Sequence, residues 1–120
     1  MQAVDINQIA QSLKKYFRGN KEIEAAYIFG STMLGKTNAL SDIDIAILID
    51  RKKLEERLYP YGYKAYIITD LMKLLRTNRV DLVILNEAPP LLRHRVLYTG
   101  KLIYSENEKR RIQFQVESSK

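Results

Sequence analysis

Residues Ile28 to Ile49, IFGSTMLGKTNALSDIDIAILI, decide how the chain folds. Tyr27-Ile28-Phe29 close one apolar run, Gly30-Ser31 stand where a strand gives way to a turn, and Asp42-Ile43-Asp44 open a second apolar run that ends at Ile49. The second run is rich in β-branched residues and reads as a strand, on which residues two apart project from the same face. Asp42 and Asp44 therefore aim their carboxylates at one spot. Opposite them, Gly30 lets the backbone approach a ligand with no Cβ in the way. A helix beginning there offers unpaired N–H donors, and the Ser31 hydroxyl adds another.

Two carboxylates side by side on a sheet repel each other, and the arrangement gains stability only when a cation neutralises them. Mg²⁺ suits such a place, because it prefers hard oxygen ligands and joins one or two protein carboxylates to the phosphates of a substrate. A phosphate-binding turn facing an Asp pair thus points to metal-assisted nucleotidyl transfer, with Mn²⁺ an acceptable substitute.

Outward from this stretch the chain alternates helices and strands. Ile6, Ile9, Leu13, Tyr16 and Phe17 recur at helical spacing, with Asp5 to cap the start and Gly19-Asn20 to end the segment. Ile23 to Phe29 is the first strand, Ser31 to Gly35 a short helical turn, Thr37 to Ser41 a polar loop, and Ile43 to Ile49 the second strand. Asp50 is placed to cap a short charged helix from Arg51 to Leu58, stopped at Tyr59-Pro60. Tyr61 to Asn78 fits a helix on the spacing of Tyr63, Ile67, Leu71, Leu74 and Leu75, while Tyr66-Ile67-Ile68-Thr69 also suits a strand; helix is the reading taken, with Asp70 on its solvated side. Val80 to Leu85 is the third strand, Pro89-Pro90 leads into a helix over Leu91 to Tyr98, Lys101 to Tyr104 is a short edge strand, and a charged helix covers about 106–116. This alternation predicts an α/β (α+β) fold, a small mixed β-sheet with helices packed mainly on one face and the site on the open side.

Composition narrows the function classes. The 120 residues, 46% hydrophobic and 28% charged, suit one compact domain. No cysteine is present, which excludes disulfides, thiolate metal sites and cysteine nucleophiles. No apolar run approaches the roughly 20 residues that cross a bilayer, and Met1 to Asn20 has no continuous signal-peptide core, so a cytoplasmic protein is expected. The net charge is +6, with basic clusters at Lys14-Lys15-Arg18-Lys21, Arg51-Lys52-Lys53, Arg93-His94-Arg95 and Lys109-Arg110-Arg111. Each reads as solvated basic surface. No RNA-binding motif accompanies them.

Gly30-Ser31, ten residues, then Asp42-Ile43-Asp44 resembles the signature of the polymerase-β-type nucleotidyltransferase superfamily. The short chain is similar to its minimal members, the MNT proteins, which are often antitoxin partners of HEPN toxins. The resemblance runs from about Ile23 to Tyr104, includes weaker matches at Asn86 to Leu92 and Gly100 to Tyr104, and implies a single minimal nucleotidyltransferase domain over 1–120. It implies a third carboxylate on a later strand, which Asp81 supplies before its apolar followers Leu82 to Leu85. Asp42, Asp44 and Asp81 then hold two Mg²⁺ ions and carry catalysis, while Gly30 and Ser31 bind the phosphates of ATP. Many members carry arginines shortly after Gly-Ser. This chain has Thr32, Met33 and Leu34 there, and Lys36 takes the nucleotide-binding role as a point charge.

The implied activity is transfer of AMP from ATP to a hydroxyl, a tyrosine's, of a HEPN-type toxin, which the transfer silences. An antitoxin that acts by binding alone is the alternative, and an aminoglycoside-type small-molecule transferase a third reading that the short chain disfavours. Assembly with itself or with the toxin is open in either of the first two cases.

Overall fold

A computed structural model describes residues 6–30 and 42–119. Among the described residues, four α-helices and four strands run in order: α1 (Ile6–Arg18), β1 (Ile23–Phe29), β2 (Ile43–Ile49), α2 (Tyr63–Leu75), β3 (Val80–Ile84), α3 (Pro90–Thr99), β4 (Lys101–Ser105) and α4 (Glu108–Ser118). The strands form one mixed sheet in the order β3-β2-β1-β4. β1 runs antiparallel to both β2 and β4, and β2 and β3 run parallel, connected through α2.

The mixed sheet and the strand bounds follow the sequence patterns, but the helices are shared between the two faces of the sheet. On one face Ile9, Leu13 and Phe17 of α1 and Ile67 and Leu71 of α2 pack on Ile28, Ile45, Ile47 and Leu82. On the other, Val96 and Leu97 of α3 and Phe114 of α4 pack on Ala25, Tyr27, Phe29, Ala46 and Leu48. The reason lies in β1 and β2. All seven residues of β1 are buried, and all of β2 except Asp44. A strand apolar on both sides needs cover on both sides, and such strands read as continuous apolar runs without alternation. No face is left open.

Local departures have local causes. Asp50 does cap, accepting a hydrogen bond from Lys52 N at 3.0 Å, but the segment after it forms two short 3₁₀ turns, Arg51–Lys53 and Glu56–Leu58, in place of one helix. Three consecutive cations and few buried side chains give an isolated helix nothing to offset its nucleation cost. Asp70 is not simply solvated, since it accepts the Tyr16 hydroxyl at 2.7 Å and ties α2 to α1. The last helix begins two residues later than its pattern suggests, at Glu108, because Asn107 caps it through Arg110 N at 3.0 Å. Asp5 and the segment Ser31 to Ser41 lie outside the described residues. Among those described, no helix is long and apolar enough to cross a membrane.

Gly100 fixes how α3 meets the sheet. A Cβ there would lie 2.5 Å from Val96 O and 3.3 Å from Ile28 O, so only glycine lets the end of α3 rest on the backbone of β1. That contact sets the last turn of α3 beside the end of β1, just ahead of Phe29 and Gly30.

Candidate active site

The parallel register of β2 and β3 places Asp44 directly beside Asp81, and the antiparallel register of β1 and β2 places Phe29 on the other side of Asp44. One row of the sheet thus reads Phe29, Asp44, Asp81, with Gly30 at its edge. Gly30 has φ +73, and a Cβ added to it would collide with the Asp44 carboxylate. Both facts demand glycine at this position. Asp42, at the mouth of β2, is exposed, and Ile43 N donates to Arg79 O at 2.8 Å to hold that mouth against the start of β3. Asp42 and Asp81 line one open depression of about 380 Å³ with Asn78, Arg79 and Val80.

The three aspartates are therefore gathered at one end of the sheet. They lie on the sheet face that carries α3 and α4, beside Phe29, against which the end of α3 rests. Proximity in sequence alone would pair Arg79 with Asp81, but its guanidinium approaches Asp42 at 3.6 Å. Both side chains are largely exposed, so the pair contributes little, about 0–1 kcal/mol. Ser31 and Lys36 lie outside the described residues.

Electrostatically the cluster is under-compensated. Burial pushes the Asp44 carboxyl above its ordinary range, the charges of Asp81 and Asp42 push it further the same way, and Arg95 on α3 pulls it back. A half-buried carboxylate crowded by two exposed ones of like charge suits a divalent cation. Among the described residues no three acidic or histidine side chains form a metal-holding group on their own. Mg²⁺ does not require one, because it takes one or two carboxylates and completes its shell with water and substrate phosphate.

Arg95, whose charge acts on Asp44, is a group that the sequence patterns do not single out. In the sequence it belongs to a run of basic residues, Arg93-His94-Arg95, that reads as solvated surface. The signal lies in helical geometry: residues two apart on a helix cannot share a flank, so Arg93 and Arg95 need different surroundings.

The family described as "Polymerase beta, Nucleotidyltransferase" matches residues 11–109. The curated relative "Protein adenylyltransferase MntA" of Aphanizomenon flos-aquae (strain 2012/KM1/D3) is 32% identical over 82 residues. That match takes in 66% of this chain and 55% of the relative, so the chain spans little more than half the relative's length. In three dimensions the chain is similar to a crystal structure of a toxin-antitoxin with AMP-PNP, with TM-score 0.73 and 27% identity over 92% of this chain and 83% of that one. It is also similar in fold to a chain in the structure of a tri-AMPylated Shewanella oneidensis HEPN toxin in complex with MNT antitoxin, with TM-score 0.68 and 24% identity over 94% and 82% of the two chains.

Proposed function

Because the chain belongs to the polymerase beta nucleotidyltransferase family, we propose that it is a protein adenylyltransferase and antitoxin that moves AMP from ATP to a hydroxyl of a HEPN-type toxin. The observation that carries this reading is the pairing of Asp44 with Asp81 on adjacent parallel strands, with Gly30 packed against Asp44. Two carboxylates and an open backbone position converge there, as transfer of a nucleotide requires. The adenylyltransferase name of the curated relative and the AMP-PNP bound by the toxin-antitoxin neighbour agree with it.

In this reading Asp42, Asp44 and Asp81 hold Mg²⁺, and Gly30, Ser31 and Lys36 bind the phosphates of ATP. The metal supplies charge neutralisation of the phosphates and makes the acceptor hydroxyl a better nucleophile. Asp81, exposed at the rim, receives the proton of that hydroxyl. A bond forms between the hydroxyl oxygen, a tyrosine's, and the α-phosphorus, the bond to the bridging oxygen breaks, and pyrophosphate leaves. The depression beside Asp42 and Asp81 is shallow and open, so the acceptor must bring its own surface to exclude water, which a folded protein does and a metabolite does not.

The test is to mix the protein, Mg²⁺-ATP and the HEPN-type partner and to seek an added AMP by mass spectrometry. Asp44→Asn should abolish the adduct while the complex still forms. Equal silencing of the toxin by Asp44→Asn, with no adduct from either protein, would replace transfer by inhibition through binding alone.

A further inference from the structure

We propose that the groove along the outer stripe of α2, walled by Tyr59 and Tyr66 and closed by Asp70, is a docking site for an arginine side chain of another protein. α2 packs on the sheet face opposite the one that carries α3, α4 and the aspartates, and the site does not depend on the nucleotidyl-transfer reading.

The groove follows from how α2 meets the sheet. Ile67 and Leu71 turn inward, and Gly62, Ala65, Tyr66, Thr69, Asp70 and Lys73 recur at the spacing of one helical stripe turned away from them. These six line a groove of about 290 Å³, and the turn from Tyr59 to Tyr61 stands across its first end. Tyr59 and Tyr66 make a corner, with ring centroids 5.0 Å apart and planes at 64°. Tyr59 is braced from behind by Tyr63, 5.1 Å away at 87°, whose hydroxyl donates to Glu22 at 2.7 Å. Tyr66 keeps 43% of its surface in solvent. Among the described residues, the hydroxyls of Tyr59, Tyr61 and Tyr66 have no hydrogen-bond partner, so nothing within the fold claims this wall.

Asp70 stands one turn beyond Tyr66 on the same stripe. One of its carboxylate oxygens accepts the Tyr16 hydroxyl at 2.7 Å, which fixes the group, and among the described residues the other accepts no hydrogen bond. No ion pair joins Asp70 to Lys73 there. Although the chain carries a net charge of +6, the charges that act on this corner are acidic. Burial first, then Glu22, Tyr66 and Glu55, raise the Tyr59 phenol above its ordinary value. Tyrosine faces attract a cation, and a carboxylate held beside them fixes its orientation. A guanidinium is planar, stacks on aromatic faces and offers paired donors to a carboxylate, which an ammonium does not. The occupant is a protein because Leu58 and Tyr61, 58% and 91% exposed, extend the apolar contact beyond the space one side chain fills.

The test is an NMR titration of the ¹⁵N-labelled protein with a capped Leu-Arg-Leu tripeptide, with the same peptide carrying citrulline or lysine at its centre, and with free arginine. The arginine peptide should give saturable shifts in the amides of residues 59–73, and the citrulline peptide, alike in shape but uncharged, should bind about tenfold more weakly. The lysine peptide should fall between them. Tyr66→Leu should weaken the arginine peptide about two- to fivefold, and Asp70→Asn about tenfold. Tyr66→Leu keeps apolar bulk at an exposed position, so it tests the wall even if Asp70→Asn loosens the contact of α2 with α1. Absence of saturable shifts, equal binding of the citrulline peptide, or an affinity that Tyr66→Leu leaves unchanged overturns the site. Free arginine binding as tightly as the peptide overturns the choice of a protein as the occupant.

Discussion

At its C-terminal end β2 is fastened by polar groups that have found partners. Asn86 donates to Ile49 O at 2.8 Å and accepts from Ile49 N at 2.9 Å, Asp50 N donates to Glu22 O at 2.8 Å, and Tyr63 donates to Glu22 at 2.7 Å. At the N-terminal end of the same strand, Asp44 and Asp81 sit shoulder to shoulder with the same sign, and Asp42 has a loose contact with Arg79. Both ends are polar, yet one commits its groups to stability and the other leaves them ready for a ligand. A buried or half-buried group with its hydrogen bonds made adds to stability, whereas crowded like charges subtract from it until a ligand arrives. The difference marks where a ligand belongs more sharply than either motif does.

Substitutions at either end test this division. Asp44→Asn should have the largest functional effect, a loss of AMP transfer on the order of a hundredfold or more, as expected when a group that holds transition-state charge is removed. Its melting temperature should stay level or rise, because one of the repelling charges is gone. A clear drop in melting temperature would mean that the N-terminal end is built for stability after all. Gly30→Ala comes next. The new Cβ collides with the Asp44 carboxylate at a left-handed backbone position, which costs about 1–2 kcal/mol, so both melting temperature and Mn²⁺ affinity should fall. A variant that melts and binds Mn²⁺ like wild type would show that Gly30 and Asp44 are not in contact.

Asn86→Ala probes the opposite end. Losing both hydrogen bonds to Ile49 should lower stability by about 1–3 kcal/mol in denaturant titrations, with Mn²⁺ affinity unchanged. A shift in metal affinity without a shift in stability would reverse the roles assigned to the two ends. The smallest effect should come from Glu24, at the same end of the sheet. Burial raises its carboxyl above the ordinary 4.5, opposed first by Arg110 and reinforced by Asp50. A carboxyl raised in the folded state contributes stability that is full below its unfolded value and is lost as pH rises through its folded value. Glu24→Gln has no such proton to lose, so its melting temperature relative to wild type should climb as pH rises through and beyond 4.5, then level off. A difference that stays flat with pH would show that Glu24 is not held up by burial.

Much of this is legible in the order of residues. β1 and β2 have the bounds that their apolar runs suggest, and Asp44 and Asp81, far apart in sequence, are neighbours across two strands. The sharing of helices between both faces departs from the one-sided packing that the alternation suggests, although the strands advertise it, since IEAAYIF and IDIAILI lack the pattern of a half-exposed strand. The charged stretch after Asp50 looks helical because a cap is present, but a cap cannot offset the absence of a buried face. Arg93, which lies over the Phe114 ring, is hidden among its neighbours because a basic triplet looks uniform in one dimension and is divided three ways around a helix.

The amino-acid sequence alone settles the alternation of helices and strands, the glycine at the turn and the spacing that puts Asp42 and Asp44 on one end of a strand. These are properties of periods of about 2 and 3.6 and of backbone sterics, which act over a few residues. Tertiary packing was needed to set β3 parallel to β2 with Asp81 opposite Asp44, to make Asp70 and Asn86 ties between elements, and to lay Arg93 over the Phe114 ring. Those outcomes depend on register and on which flank of a helix meets the sheet. Both are set by contacts between segments far apart in the chain, where local preference carries no information.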